Sequence, residues 1–99
     1  MNDTSSVRIR VKGVSTLRYV IRKDLTITLR TGSTVGDLIS RLVDELGPKY
    51  REITGEDLSQ VIERLFAATI NGKLPTPMRS FDRVLHDGDE IVFFQWTGA

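Results

Sequence analysis

Leu85-His86-Asp87-Gly88-Asp89-Glu90-Ile91-Val92-Phe93-Phe94-Gln95-Trp96-Thr97-Gly98-Ala99 is the stretch on which the fold turns. Asp87-Gly88-Asp89 has the composition of a tight turn. Glu90 to Gln95 then reads as an apolar strand that runs almost into the last residue. A core strand seldom closes a chain unless the terminus is placed for use. With Ile91 and Phe93 toward a helix, alternation sends Val92, Phe94 and Trp96 to the opposite face. Gly98 and Ala99 come after the last bulky residues, as an incidental stub or as a flexible finger offered to a partner.

Working back to the N-terminus, Val7-Arg8-Ile9-Arg10-Val11-Lys12 alternates apolar and basic, which predicts a strand with one buried and one wet face. Tyr19 to Arg30 carries a second strand, in which Leu25, Ile27 and Leu29 share a face. With Gly13 to Arg18 as a turn, the two form an antiparallel hairpin. Arg8, Arg10, Lys12 and Arg30 line its outer face. Residues 1–6 are polar and read as a disordered start.

Thr34 with Asp37 three residues on makes a capping box. Val35, Leu38, Ile39, Leu42, Val43 and Leu46 then share one helix face. Gly47-Pro48 predicts the stop, and residues 47–57 read as loop, with Tyr50 and Ile53 as anchors. Leu58, Val61, Ile62, Leu65 and Phe66 predict a shorter helix capped by Asp57. Ala67 to Ile70 leads into Asn71-Gly72, the strongest hairpin signal in the chain. Pro75 and Pro77 limit the next residues to loop or a short edge strand.

The 99 residues fit one domain, 1–99, with 96–99 as a flexible tail. The absence of cysteine excludes disulfides, thiolate metal sites and a cysteine nucleophile, and fits a cytoplasmic protein. No run is long and apolar enough for a membrane span, and Met1 to Ser6 lack the features of a signal peptide. Charge is uneven. Residues 1–30 carry seven basic and two acidic side chains, and residues 31–99 carry seven basic and eleven acidic. The first part is either a solvated face or a basic patch for an acidic partner or for nucleic acid.

The element order predicts an α+β fold of the β-grasp, ubiquitin-like arrangement. It has a mixed sheet of four or five strands, one main and one short helix on one face, and the first and last strands side by side at the centre.

Three motifs, in this order and spacing, resemble the MoaD/ThiS family of ubiquitin-like sulfur carriers. They are Gly32-x-Thr34-Val35-x-Asp37-Leu38, the Asn71-Gly72 turn, and Leu85-x-Asp87-Gly88-Asp89-Glu90-Ile91-Val92-Phe93. The likeness spans about residues 7–99. It implies a carrier without an active site of its own, or the small subunit of a synthase. A partner enzyme of the ubiquitin-activating type uses ATP to adenylate the terminal carboxylate, which sulfur converts to a thiocarboxylate. A MoaE-like synthase large subunit or another sulfur acceptor then receives it, with molybdopterin biosynthesis as the expected pathway. The carrier itself binds no cofactor.

The family tail is Gly-Gly, whereas this chain has Thr97-Gly98-Ala99. Gly98 maps onto the penultimate glycine, and Ala99 supplies the carboxylate. Three outcomes stay open: a working carrier, a member without the chemistry, or a chain trimmed to Gly98. Val92, Phe94, Trp96 and Thr97, framed by Arg8 and Arg10, are the candidate partner-binding residues. The alternative is a non-carrier β-grasp interaction module that keeps this face. No membrane is expected, and nucleic acid is the weakest candidate partner. His86 stands beside Asp87 and Asp89 in a turn, without converging metal ligands. No phosphate-loop spacing surrounds Gly72-Lys73.

Overall fold

The computed structural model describes residues 5–13, 15–21, 25–75 and 81–95. The chain runs β1 (Ser6–Gly13), a 3₁₀ turn (Ser15–Tyr19), β2 (Leu25–Arg30), α1 (Val35–Thr54), α2 (Leu58–Leu65), β3 (Phe66–Ile70) and β4 (Glu90–Gln95). The four strands form one mixed sheet in the order β2-β1-β4-β3. β1 pairs antiparallel with β2 and parallel with β4, and β4 pairs antiparallel with β3. The first and last strands therefore lie together at the centre, as the sequence predicts.

Alternation decides which way each central strand faces. Val7, Ile9 and Val11 from β1, with Ile91 and Phe93 from β4, are buried in one cluster with Val35, Leu38 and Leu42 from α1. The capping box forms as the sequence predicts. Asp37 N–H donates to Thr34 Oγ1 at 3.2 Å and Thr34 N–H donates to Asp37 Oδ2 at 2.9 Å.

Three local expectations fail. The first is the stop at Gly47-Pro48, because α1 runs through Pro48 to Thr54. Pro48 leaves the carbonyl four residues earlier without its helical donor, a defect of about 3 kcal/mol in a helix interior. Gly47 has no Cβ to strike the proline ring, which relieves the usual restriction on the preceding residue. The apolar stripe continues one turn past Leu46 to Tyr50, which is 1% exposed. Its hydroxyl lies 2.9 Å from Thr16 Oγ1. Burial of that ring outweighs the proline. The helix ends at Gly55 in the left-handed region (φ 79°), whose N–H donates to the Arg51 carbonyl at 2.8 Å. Ile53, the other predicted anchor, stays exposed.

The second is the plain turn after β1. Residues 15–19 coil into a 3₁₀ turn that drops Leu17 into the core, followed by Ile21, so Tyr19 closes this turn and does not open the second strand, which begins at Leu25. Gly13 makes room for it, since a Cβ there would lie 2.8 Å from Leu17 Cβ. The third is Phe66, which the helical spacing assigns to α2. It opens β3 in extended backbone, fully buried, while Leu65 is left 39% exposed. At the start of the chain, Ser6 already belongs to β1 and the Ser5 carbonyl accepts from Thr31 N–H at 2.9 Å, so order begins earlier than the polar composition implies. Residues 1–4 lie outside the described residues.

Candidate functional site: the open sheet face and the exit of the last strand

Both helices cover one face of the sheet. The other face carries the side chains that alternate away from the core. Its β1–β2 half is polar: Arg8, Arg10, Lys12, Thr26, Thr28 and Arg30 are all exposed. Its β4–β3 half is apolar. Val92 sits between Lys12 and Thr69, and Phe94 lies opposite Ala67. Val92 and Phe94 are half-buried, and Ala67, across from Phe94 on β3, is buried.

Glu90 stands at the seam between the halves. Its Oε2 lies 3.2 Å from Lys12 Nζ and 4.0 Å from Arg10 Nη2. These are exposed pairs of small energetic weight. They hold one carboxylate against two of the four cations and leave the face positive. Glu90, Lys12, Thr69 and Ala67 thus join the candidate set. The sequence signal for them is the same period of two applied to β1, β3 and β4 together.

The turn before β4 is fastened on both sides. Arg8 N–H donates to Asp87 Oδ1 at 2.8 Å, and Gly88 N–H donates to the Arg8 carbonyl at 2.9 Å. Arg10 N–H donates to the Asp89 carbonyl at 2.9 Å. His86 N–H donates to Asp89 Oδ2 at 2.8 Å. Asn71 Nδ2 donates to Asp89 Oδ1 at 2.8 Å, and Asn71 Oδ1 accepts from Glu90 N–H at 2.9 Å. Asp87 and Asp89 are therefore committed to amides, and the His86 imidazole stands exposed with Nδ1 4.0 Å from Asp89 Oδ2. Among the described residues no group of three or more His, Asp or Glu side chains is arranged to hold a metal ion.

β4 is thereby registered to both neighbours, and Gln95 at its end lies opposite Phe66. Trp96, Thr97, Gly98 and Ala99 lie outside the described residues. Of the predicted partner-binding residues, the structure places Val92, Phe94, Arg8 and Arg10 on one face.

The family model described as the ThiS family matches residues 14–98, from just after β1 through Gly98. The chain belongs to the ThiS family. The MoaD/ThiS resemblance of its turns and helix entry is borne out by that match. Among solved structures, the chain is similar to the HVO 2177 protein of Haloferax volcanii, with a TM-score of 0.67 at 21% identity, covering 100% of this chain and 92% of that one. It is also similar to small archaeal modifier protein 1 of the same organism, with a TM-score of 0.61 at 20% identity over 89% and 95% of the two chains. A Pyrococcus furiosus protein provisionally described as molybdopterin converting factor, subunit 1, gives a TM-score of 0.57 at 20% identity over 90% and 97%. At these identities the likeness establishes the β-grasp fold. No curated protein sequence matches this ThiS-family chain. No helix among its described residues is long and apolar enough to cross a membrane.

Proposed function

We propose that this ThiS-family protein is a sulfur carrier that works through the carboxylate of its Gly98-Ala99 end. The observation that carries this reading is the family match, which reaches Gly98. The fold supports it mechanically. β4 is locked between β1 and β3, so the strand delivers the tail from a fixed point at Gln95. In the proposed reaction a partner of the ubiquitin-activating type spends ATP to form the acyl-adenylate. Sulfide sulfur then attacks the carbonyl carbon, AMP leaves, and a thiocarboxylate remains. This chain contributes the carboxylate and the docking face; the partner contributes the chemistry, and no cofactor is held here. Val92 and Phe94 give that partner an apolar contact flanked by Arg8 and Arg10, continued by Trp96 and Thr97. Small tail residues are required because a narrow channel accepts backbone angles that a side chain opposes. The acceptor we favour is a molybdopterin precursor bound to a MoaE-like large subunit, in the cytoplasm.

The test is incubation with an activating enzyme of this type, ATP and sulfide, followed by intact mass spectrometry. A mass gain equal to exchange of one oxygen for sulfur is expected. An unchanged mass with an enzyme that thiocarboxylates another carrier in the same assay would overturn the reading.

A second reading has one observation in its favour. Ala99 stands where the family motif has its last glycine. A β-grasp interaction module that has given up the chemistry would keep the docking face and tolerate that alanine. Under it, Phe94→Ala abolishes partner binding while Ala99 variants change nothing.

A further inference from the structure

β2 is an edge strand of the sheet, and among the described residues no strand pairs with its outer edge. The register shows which backbone groups face outward. Thr31 N–H donates to the Ser5 carbonyl at 2.9 Å, which makes these two a hydrogen-bonded pair across β1 and β2. Such pairs alternate along an antiparallel ladder. Val7 with Leu29, Ile9 with Ile27 and Val11 with Leu25 therefore exchange bonds, and the pairs Arg8 with Thr28 and Arg10 with Thr26 do not. The Arg10 N–H confirms this phase, since it points the other way, to Asp89. Hence the N–H and C=O groups of Thr26 and Thr28, and the N–H of Arg30, project from the free edge. The Arg30 carbonyl is taken by Ser33 N–H at 3.0 Å. Among the described residues the Thr26 and Thr28 groups have no partner.

Natural sheets guard such edges with proline, a bulge or inward-pointing charge. β2 has none of these: its six residues, Leu25-Thr-Ile-Thr-Leu-Arg30, pair with β1 in unbroken register. We propose that this edge binds an extended acidic peptide as a fifth strand beside Leu25–Arg30.

Charge selects the occupant. On the open face, Thr26 and Thr28 are short, and Arg10 and Arg8 stand directly behind them. Arg30 lies one step further along the same face. Arg8 and Arg30 have no ionic partner among the described residues. Acidic side chains at alternate positions of an added strand would sit beside the threonines, within reach of these guanidinium groups. The intervening residues would extend the buried side formed by Ile27 and Leu29 and are best apolar. A second copy of this chain fits poorly. Pairing β2 with itself across a two-fold axis would gather the three arginines of both copies on one face. A nucleic acid would answer the charge and leave the ladder of N–H and C=O groups unsatisfied, whereas a peptide backbone answers both.

The probe is a synthetic acetylated peptide amide of alternating Glu and Val, seven residues long, titrated into the full ¹⁵N-labelled chain. The expected result is saturable shifts and slowed amide exchange at Thr26, Thr28 and Arg30. The dissociation constant should rise about tenfold or more between roughly 0.05 M and 0.5 M salt. Thr28→Pro, which removes an outward N–H at an edge position that tolerates proline, should abolish binding. Arg30→Glu, which leaves the backbone untouched, should weaken it about tenfold while the tail still accepts sulfur in the carrier assay. Shifts confined to Val92 and Phe94, or no saturable shifts, would overturn the proposal. Protection of the β2 amides that depends on protein concentration without peptide would assign the edge to self-association. Binding of a short poly-uridine without protection of Thr26 and Thr28, in place of peptide binding, would assign the charge to nucleic acid.

Discussion

The side chain of Asn71 is bonded at both ends to the start of the last strand: its Nδ2 donates to Asp89 Oδ1 at 2.8 Å and its Oδ1 accepts from Glu90 N–H at 2.9 Å. Asn71 also holds φ at 53°, the conformation a tight hairpin turn needs, with Gly72 at 83°. Asn71→Gly keeps that backbone and removes both bonds. We expect a loss of about 1–2 kcal/mol in urea unfolding. Asn71→Asp sets a carboxylate against Asp89 and should cost more than Asn71→Gly at neutral pH. Equal losses for the two variants would show that Asp89 is not the partner that matters.

Much of this arrangement is legible in the sequence. The strands at 7–12 and 25–30 rest on strict alternation, the strand at 90–95 on an apolar run entered from an Asp-Gly turn, and α1 on a capping box followed by a stripe. Those signals are local, so they survive into the structure. What escapes is set by contacts between distant residues. Nothing near Pro48 reveals that Tyr50 finds a half-buried partner in Thr16, 34 residues away. Nothing near Gly13 reveals that Leu17 must pass beside it. Phe66 fits the spacing of α2 until β4 supplies a strand to pair with. Of the site, the face of Val92 and Phe94 comes from period two, but the Lys12–Glu90 seam depends on β1 and β4 being parallel and in one register.

The continuation of α1 through Pro48 gives a paired prediction. Pro48→Ala restores a helical donor in a turn that is already formed and should stabilise by about 1–3 kcal/mol. Tyr50→Phe removes the hydroxyl contact with Thr16 and should cost about 1 kcal/mol. Both are read from urea midpoints with unchanged slopes. Destabilisation by Pro48→Ala would mean that the helix needs the bend proline imposes.

Asp57 caps α2, accepting from Ser59 N–H at 2.9 Å and from Ser59 Oγ at 2.6 Å, with Arg51 Nη2 3.1 Å away. The Ser59 hydroxyl and amide bonds, followed by smaller contributions from the Gln60 amide and the Arg51 charge, hold its carboxyl below the ordinary carboxylate range. A carboxyl depressed in the folded state contributes stability that is present above its unfolded pKa and lost as pH falls through the folded value. Asp57→Asn keeps a capping oxygen and removes the titration. Its melting temperature should therefore lie below that of the parent at neutral pH and converge with it in acid. Parallel curves across the whole range would assign the cap no electrostatic part.

The proposed chemistry turns on Ala99. In that reaction the Ala99 carboxylate oxygen attacks the α-phosphorus of ATP and pyrophosphate leaves. Sulfide sulfur then attacks the Ala99 carbonyl carbon and displaces AMP. The alanine methyl lies on the carbon next to that centre and restricts backbone angles that glycine adopts freely. Ala99→Gly should therefore raise the rate of thiocarboxylate formation, by about tenfold if the methyl raises the barrier by about 1.4 kcal/mol. Ala99→Val should abolish it. Neither change should alter folding stability, because the substitutions lie beyond β4. Phe94→Ala provides the contrast. It should raise the KM for the activating enzyme through lost docking contact, and leave the rate at saturating carrier nearly unchanged. Mass spectrometry against time, at several carrier concentrations, separates the two. If Ala99→Gly accelerates nothing while Ala99→Val still reacts, the carboxylate at position 99 is not the group that is activated.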